Sequence, residues 1–325
     1  MNAPGRPHFS AIAPAACPGG GWDLERIVGE LRQARERWRE SQQRTCEFGV
    51  REFPSRDALQ DVAAALCSGL FPMRLGPADL CHEGEDFYVG HTLHHALNAL
   101  LHQVRLELAY RARHEAGEVR SIVARADDIV RRFAAELPRL RALLDTDVQA
   151  AFDGDPAARS VDEVLLCYPG VVAVIHHRLA HTLYRLGAPL VARILAEIAH
   201  SQTGIDIHPG AQIGAGFFID HGTGVVIGET AVLGKHVRLY QAVTLGARSF
   251  ASEADGSLSK GGARHPIVED NVVIYAGATV LGRITIGHGS SIGGNVWLTR
   301  SVPPGSHVTQ ASLQHGPVRG GGDFI

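Results

Sequence analysis

Apolar residues recur at two different periods along this chain. From Asp23 to about residue 202 they return every three or four positions, the spacing of one helix face. Leu24, Ile27, Val28 and Leu31 are an example. The spacing predicts helices over 23–46, 55–68, 86–116, 118–145, 170–186 and 189–202. Pro54, Pro72, Pro138, Pro169 and Pro189 fall near the expected breaks or first turns, where a missing N–H is tolerated.

After Gly204 the period becomes six. Ile207, Ile213 and Ile219 stand six apart; after a two-residue slip, Ile227, Leu233, Leu239 and Leu245 continue. A gap follows, then Val268, Ile274, Val280, Ile286, Ile292 and Leu298 resume the count. Glycine often follows the aliphatic residue, as at Gly214, Gly228, Gly234, Gly246, Gly287 and Gly293. Neither a helix nor a plain strand has period six, but a three-sided coil of short strands does, with each aliphatic residue stacked inside on its neighbour one coil away. This is the pattern of a hexapeptide β-helix, in which each coil buries the next. The expected organisation is a flexible tail over 1–21, an α-helical domain over 22–203, a β-helix over 204–304 and a C-terminal tail over 305–325. The gap at 248–262 contains Asp255-Gly256 and Lys260-Gly261-Gly262 and is expected to be a loop extruded from the β-helix.

Composition narrows the function classes. The chain has 325 residues, 45% of them apolar and 20% charged, which suits a folded two-domain protein. A net charge of −3 gives no bias toward nucleic acid or an acidic membrane. No apolar run reaches the roughly 18 residues of a membrane helix, and no compact apolar segment behind a basic start marks a secretory signal. Five cysteines, at 17, 46, 67, 81 and 167, form no C-x-x-C pair and fit reduced, mostly buried thiols in a cytoplasmic protein.

Three polar clusters interrupt the β-helix pattern: Asp206-Ile207-His208-Pro209, Asp220-His221-Gly222-Thr223-Gly224 and Gly261-Gly262-Ala263-Arg264-His265-Pro266. Polar residues must point outward from such a core, so clusters on neighbouring coils can converge on one groove. Histidine suits general-base work because its ordinary pKa lies near 6.5, and a carboxylate on its far nitrogen fixes the tautomer. Asp206 and His221 are candidates for that pair. An aspartate can hold an ammonium, and the planar guanidinium of Arg264 can grip a carboxylate with two hydrogen bonds. No Walker loop, G-x-S-x-G or H-E-x-x-H is present. His91 and His95, at i and i+4, could hold a metal, but no acid or cysteine accompanies them in a recognised pattern.

Taken together, DIHPGAQIG (206–214), DHGTGVVIGETAVLG (220–234), YQAVTLGA (240–247), KGGARHPIVEDNVVIYAGATVLG (260–282) and SVPPG (301–305) resemble the serine O-acetyltransferase family of hexapeptide-repeat acyltransferases. CYPGVVAVIHHRLAH (167–181) is similar to the preceding helices of one branch. The resemblance implies an α+β fold, an N-terminal α-helical bundle followed by a left-handed parallel β-helix of hexapeptide repeats. It implies transfer of an acetyl group from acetyl-CoA to L-serine, the first step of cysteine biosynthesis, with no tightly bound cofactor, no metal and no acyl-enzyme. His221 matches the catalytic base and Asp206 its aspartate. Asp155, Asp220, Arg264 and His265 match substrate-binding positions; Gly246 and Ala276 match positions lining the acetyl-CoA channel between adjacent subunits. The implied assembly is a homotrimer or a dimer of trimers, with L-cysteine as feedback inhibitor. The implied partner is O-acetylserine sulfhydrylase, which would take the C-terminal tail ending in Ile325. The segment after the last coil, His307 to Leu313, departs from the family's G-x-P-A-like pattern.

Three alternatives stay open on the residues alone. The acceptor could be homoserine or an amino sugar. The same β-helix could hold zinc through His208, His221, His236 or His265. The chain could also be a non-catalytic scaffold.

Overall fold

The structure is a computed structural model, and it describes residues 22–42, 53–115, 121–249 and 261–311. The expected tail at 1–21, most of the expected loop at 248–262 and the terminal Ile325 therefore lie outside the described residues. The chain divides into two compact units, Met1–Arg51 and Glu52–Ile325. The first contributes one described helix, α1 (Leu24–Ser41), whose N-terminus is capped by Asp23 accepting from the Arg26 amide at 3.1 Å. Its apolar residues Leu24, Val28 and Leu31 are exposed.

The second unit begins with helices α2 (Arg56–Leu70), α3 (Pro72–Leu75), α4 (Glu85–Glu115), α5 (Ile122–Gly154), α6 (Val161–Cys167), α7 (Pro169–Leu186) and α8 (Pro189–Thr203). Leu59, Leu66, Leu100, Val104, Phe133, Leu144, Leu179, Leu183 and Leu195 form a shared core between them. The proline rule puts a break near Pro138 while the apolar spacing runs a helix through it over 118–145; the structure follows the spacing, and Pro138 does not break α5. It removes one backbone donor, but Leu137, Leu140 and Leu144 are buried around it, and that packed face carries the helix through to Gly154. The fully buried Glu107 of α4 accepts the Leu190 and Val191 amides at 2.9 and 2.8 Å, so it caps the N-terminus of α8. Burial pushes its carboxyl above the ordinary range.

Among the described residues fourteen short strands follow, all paired in parallel: β1 (Asp206–Ile207), β2 (Gln212–Ile213), β3 (Phe218–Ile219), β4 (Val226–Ile227), β5 (Val232–Leu233), β6 (Arg238–Leu239), β7 (Thr244–Gly246), β8 (Ile267–Val268), β9 (Val273–Ile274), β10 (Thr279–Leu281), β11 (Thr285–Ile286), β12 (Ser291–Ile292), β13 (Trp297–Leu298) and β14 (His307–Val308). They form three sheets, here called A (β1-β4-β7-β10-β13), B (β2-β5-β8-β11) and C (β3-β6-β9-β12-β14). The chain visits A, B and C in turn, so each circuit is one coil of the expected left-handed β-helix. Of the thirteen aliphatic positions counted at period six, all are buried except Ile213, which is half-buried. A second inward layer escaped the count. Ile205, Ala211, Phe217, Val225, Ala231, Val237, Val243, Val272, Ala278 and Val296, each two residues before a counted position, are also buried.

One buried ion pair fastens the helices to the first coil. Arg178 of α7 donates to both carboxylate oxygens of Asp147 of α5 at 3.1 and 3.0 Å. The same guanidinium donates to the carbonyls of Ile213 and Gly214, while Asp147 accepts the Phe217 amide at 2.8 Å. The fork geometry spreads the charge over five hydrogen bonds, which is what a buried pair requires. Burial still pushes the Asp147 carboxyl up, and Arg178 pulls against it.

One further detail corrects the sequence picture. Only Cys67 among the described cysteines is packed against the core, and burial pushes its thiol up to about 12; Cys81 and Cys167 are exposed. Among the described residues, no helix is long and apolar enough to cross a membrane.

Candidate active site

The three polar clusters fall on two different corners of the β-helix, and within one chain they do not share a groove. Asp220 and His221 follow β3 (Phe218–Ile219) and lie on the corner leading from sheet C to sheet A. Ala276 follows β9 (Val273–Ile274) on the same corner, further along the axis. Arg264 and His265 precede β8 (Ile267–Val268) on the corner leading from A to B, and Gly246 ends β7 (Thr244–Gly246) on that corner. The convergence expected from sequence fails because outward residues of a three-sided coil share a groove only when they share a corner.

The first corner is crowded with charge. Asp220 is buried, and its Oδ2 accepts from Arg238 at 2.6 Å. Its Oδ1 lies 3.6 Å from Nδ1 of His221, close enough for ion pairing but too long for a hydrogen bond. The His221 side chain is 69% exposed. Its backbone has a φ of 59°, a left-handed conformation also used at the corner residues His236, Ala242, Asn271 and Asn295. With Nδ1 turned toward Asp220, Nε2 is left to meet a substrate.

Asp155, the C-cap of α5, reaches the same corner. The Tyr168 hydroxyl donates to its Oδ2 at 2.5 Å and the Ala157 amide donates to its Oδ1 at 2.8 Å. The tyrosine hydrogen bond, then the amide, hold the Asp155 carboxyl below its ordinary range, with weaker help from Arg238 and His221. The same bond pushes the Tyr168 hydroxyl up to about 12. Asp155, Asp220 and His221 are thus brought together.

Among the described residues no hydrogen bond or ion pair joins Asp206 to His221. Asp206 opens β1, and its carboxylate lies near Glu197 and His200 of α8, with one ligand atom from each of the three within 4.8 Å of the others. Glu197 is already paired with Arg193 at 2.6 Å and with His200 at 3.3 Å. Among the described residues the ion-pair partner of His221 is Asp220. The separation has a local cause: Asp206 lies on a strand of sheet A beside α8, whereas His221 stands at the corner outside that sheet.

The second corner is built on Glu229 and Thr230, which follow β4 (Val226–Ile227). Arg264 donates to Glu229 at 2.7 Å, and the Tyr184 hydroxyl donates to the same carboxylate at 3.1 Å. Burial alone would raise Glu229, but Arg264 and Tyr184 outweigh it and the carboxyl is held low. The Thr230 hydroxyl accepts the amides of Arg264 and His265 at 2.9 and 3.1 Å. The Thr230 amide donates to Nδ1 of His265 at 3.0 Å. Burial, then the Arg264 charge, push His265 down to about 4, so its ring is neutral at physiological pH. A neutral ring whose Nδ1 accepts carries its proton on Nε2, and this hydrogen-bond pattern assigns that tautomer. Gly228 makes the arrangement possible, since a Cβ there would lie 2.0 Å from Cδ2 of His265.

Two contributors were hidden in the sequence. Arg238 occupies an outward position of an ordinary hexapeptide, and Tyr168 stands at a helix entry; neither position carries a local signal. Glu229 and Thr230 do lie inside the quoted stretch 220–234, and the Gly that precedes them was the available sign of a close approach. On α4 the rings of His91 and His95 meet edge to face with centroids 4.4 Å apart, and His94 lies 5.7 Å from His95. His91, His94, His95 and His102 are exposed, while His176 and His177 are buried in α7.

Residues 265–300 match the family model described as bacterial transferase hexapeptide (six repeats). The chain is 52% identical over 304 residues to the plasmid serine acetyltransferase of Synechococcus elongatus, covering 93% of this chain and 95% of that protein. This chain belongs to the serine acetyltransferase family. The serine acetyltransferase of Mycobacterium tuberculosis is 54% identical over 162 residues, covering 50% of this chain and 67% of that one. Among solved structures, serine acetyltransferase 1 of Entamoeba histolytica in complex with L-cysteine is 39% identical. It superposes with a TM-score of 0.67 over 77% of this chain and 86% of its own. The family relationship therefore spans both the helices and the β-helix.

Proposed function

We propose that the chain catalyses acetyl transfer from acetyl-CoA to the hydroxyl of L-serine, the first step of cysteine biosynthesis, in the cytoplasm. The observation that carries this is the grouping of an exposed histidine, its ion-pair partner Asp220 and the nearby Asp155 on one corner of a serine acetyltransferase β-helix. The carboxylates suit the ammonium of a free amino acid, and Nε2 of His221 suits its hydroxyl. His221 takes the hydroxyl proton, the oxygen attacks the thioester carbonyl, and the tetrahedral intermediate collapses to the ester and CoA thiolate. The proton on His221 then passes to the thiolate, so the base is restored. Asp220 faces Nδ1 and stabilises the imidazolium formed on the way; Asp206, one coil away, is the carboxylate the family resemblance pairs with the base.

The remaining acceptor groups sit on the other corner, so we assign a complete site to two copies of the chain in a threefold assembly. The first corner of one copy would supply Asp155, Asp220, His221 and Ala276. The second corner of its neighbour would supply Arg264, His265 and Gly246. Arg264 would grip the serine carboxylate, and the neutral His265 would donate from Nε2. Acetyl-CoA would lie in the seam, where Gly246 and Ala276 present little side chain. L-cysteine would compete for the serine site, and Ile325 would dock into O-acetylserine sulfhydrylase.

The test is thiol release from acetyl-CoA by the purified protein with L-serine, homoserine or glucosamine, alongside metal analysis. Release with serine alone supports the proposal. Release with glucosamine but not serine, or activity that tracks bound zinc, would replace it.

A further inference from the structure

We infer that Arg238 is a positioning residue for the acceptor site, which sets Asp220 to receive the substrate ammonium. The inference rests on the proposal that Asp155, Asp220 and His221 form that site.

The geometry is specific. Arg238 stands on β6 (Arg238–Leu239), in register with Phe218 on β3, and both point outward from sheet C. The guanidinium lies 4.9 Å from the Phe218 ring centroid and 4.6 Å from that of Tyr240, so two aromatic rings hold it by cation–π contact. From there one nitrogen reaches Oδ2 of Asp220 at 2.6 Å. The backbone of Asp220 is fixed as well, its amide donating to the Leu239 carbonyl at 2.8 Å. With Oδ2 taken, the carboxylate can present only Oδ1 toward His221, which is where an acceptor would sit. The next rungs on this face of sheet C are Val273 and Ser291, which carry no charge, and the only other titratable rung is His307, three strands beyond Arg238 among the described residues.

A plain structural brace would be expected to satisfy its own donors. Nε of Arg238 is buried and has no acceptor among the described residues. Such an orphan costs stability, so the guanidinium is placed by its hydrogen bond to Asp220 and by the two rings rather than by full satisfaction of its donors. The charges facing this corner are Asp155 from α5, Asp220 and His221 from the corner, and Arg238 from β6, with Tyr168 bonded to Asp155.

Two effects of removing Arg238 oppose each other. Losing a positive charge beside Asp220 would by itself attract an ammonium more strongly and lower the serine KM. Losing the orientation of Asp220 would raise it. Positioning requires the second to win. A hydrogen bond to a charged group sets the scale, and the serine KM of Arg238→Gln should rise about tenfold. The acetyl-CoA KM should stay within about twofold, and Arg238→Lys should recover part of the loss by restoring a donor to Asp220. Thermal unfolding of both variants identifies any that fails to fold, and the lysine variant then decides the case. A serine KM that is unchanged or lower in folded variants, or an equal rise in both KM values, overturns the inference while leaving the reaction intact. Wild-type protein that releases thiol without needing serine overturns the acceptor site and this inference together.

Discussion

Gly228 offers the sharpest test of the second corner. Alanine there adds one methyl group, and the structure places that carbon 2.0 Å from Cδ2, 2.1 Å from Nε2 and 2.7 Å from Cγ of His265. Unstrained carbon contacts lie near 3.5–4.0 Å, so the ring must retreat by roughly 1.5 Å. The retreat breaks the 3.0 Å bond from the Thr230 amide and the 2.9 Å contact with its hydroxyl, because either would exceed the useful range. Nε2, the face offered to substrate, moves with the ring. A misplacement of about 1 Å in a positioning group costs about 100-fold in rate, equivalent to about 2.7 kcal/mol of barrier. Overpacking itself should cost about 1–3 kcal/mol of stability, so the variant remains measurable. The assay is kcat/KM for serine from thiol release, with the thermal midpoint recorded in parallel. Gly262→Ala is the matched control, because a Cβ there meets nothing within 4 Å. If Gly228→Ala stays within fivefold of wild type, His265 does not act where this geometry puts it.

His221→Ala should lower kcat by about 100- to 10,000-fold, the usual worth of a general base, with an unchanged circular dichroism spectrum because the side chain is exposed; a loss below tenfold would move the base elsewhere. Arg178→Met should strand the buried Asp147 charge at a cost of about 3–5 kcal/mol. At roughly 2–4 °C per kcal/mol for a chain of this size, the thermal midpoint should drop by about 10 °C, and a shift under about 3 °C would mean the pair is dispensable. Stability should also fall on acidification. Burial holds His176, His177 and His181 below their ordinary value in the folded chain. The unfolded chain therefore binds protons that the folded chain refuses once pH drops below about 6.5. Each such histidine contributes a slope of up to about 1.4 kcal/mol per pH unit. His177→Leu should flatten the fall in thermal midpoint between pH 7 and pH 5; parallel curves for the two proteins would refute the assignment.

Much of the fold was legible because the β-helix repeats. A single spacing rule marks Ile207 through Leu298, and twelve of those thirteen side chains are buried. The second inward layer, Ile205 to Val296, was missed because alanine, valine and phenylalanine alternate there and break any simple pattern. The helical half was legible in α4, α7 and α8. Pro138 misled because a local rule about missing donors was overruled by tertiary packing. The candidate residues could be named from motifs, but their grouping could not. Which corner an outward residue occupies depends on the coil count, and this separates Arg264 from His221 inside one chain. Arg238 and Tyr168 were invisible for another reason: each acts on a partner brought near only by the winding.

The corner from β3 to β4 has a consequence of its own. It spans six residues, 220–225, where the matching corners at 240–243, 275–278 and 293–296 span four. The ladder continues on both sides, with Asp206 paired to Val226 and Phe218 to Arg238. Asp220 and His221 thus occupy a surplus that the winding does not need. The barrel of coils is a chassis, and the reactive corner is an accessory bolted to it. Trimming that corner to four residues should yield a folded but silent solenoid, and transplanting it to a later coil would shift the chemistry along the axis in steps of one strand spacing, about 4.8 Å.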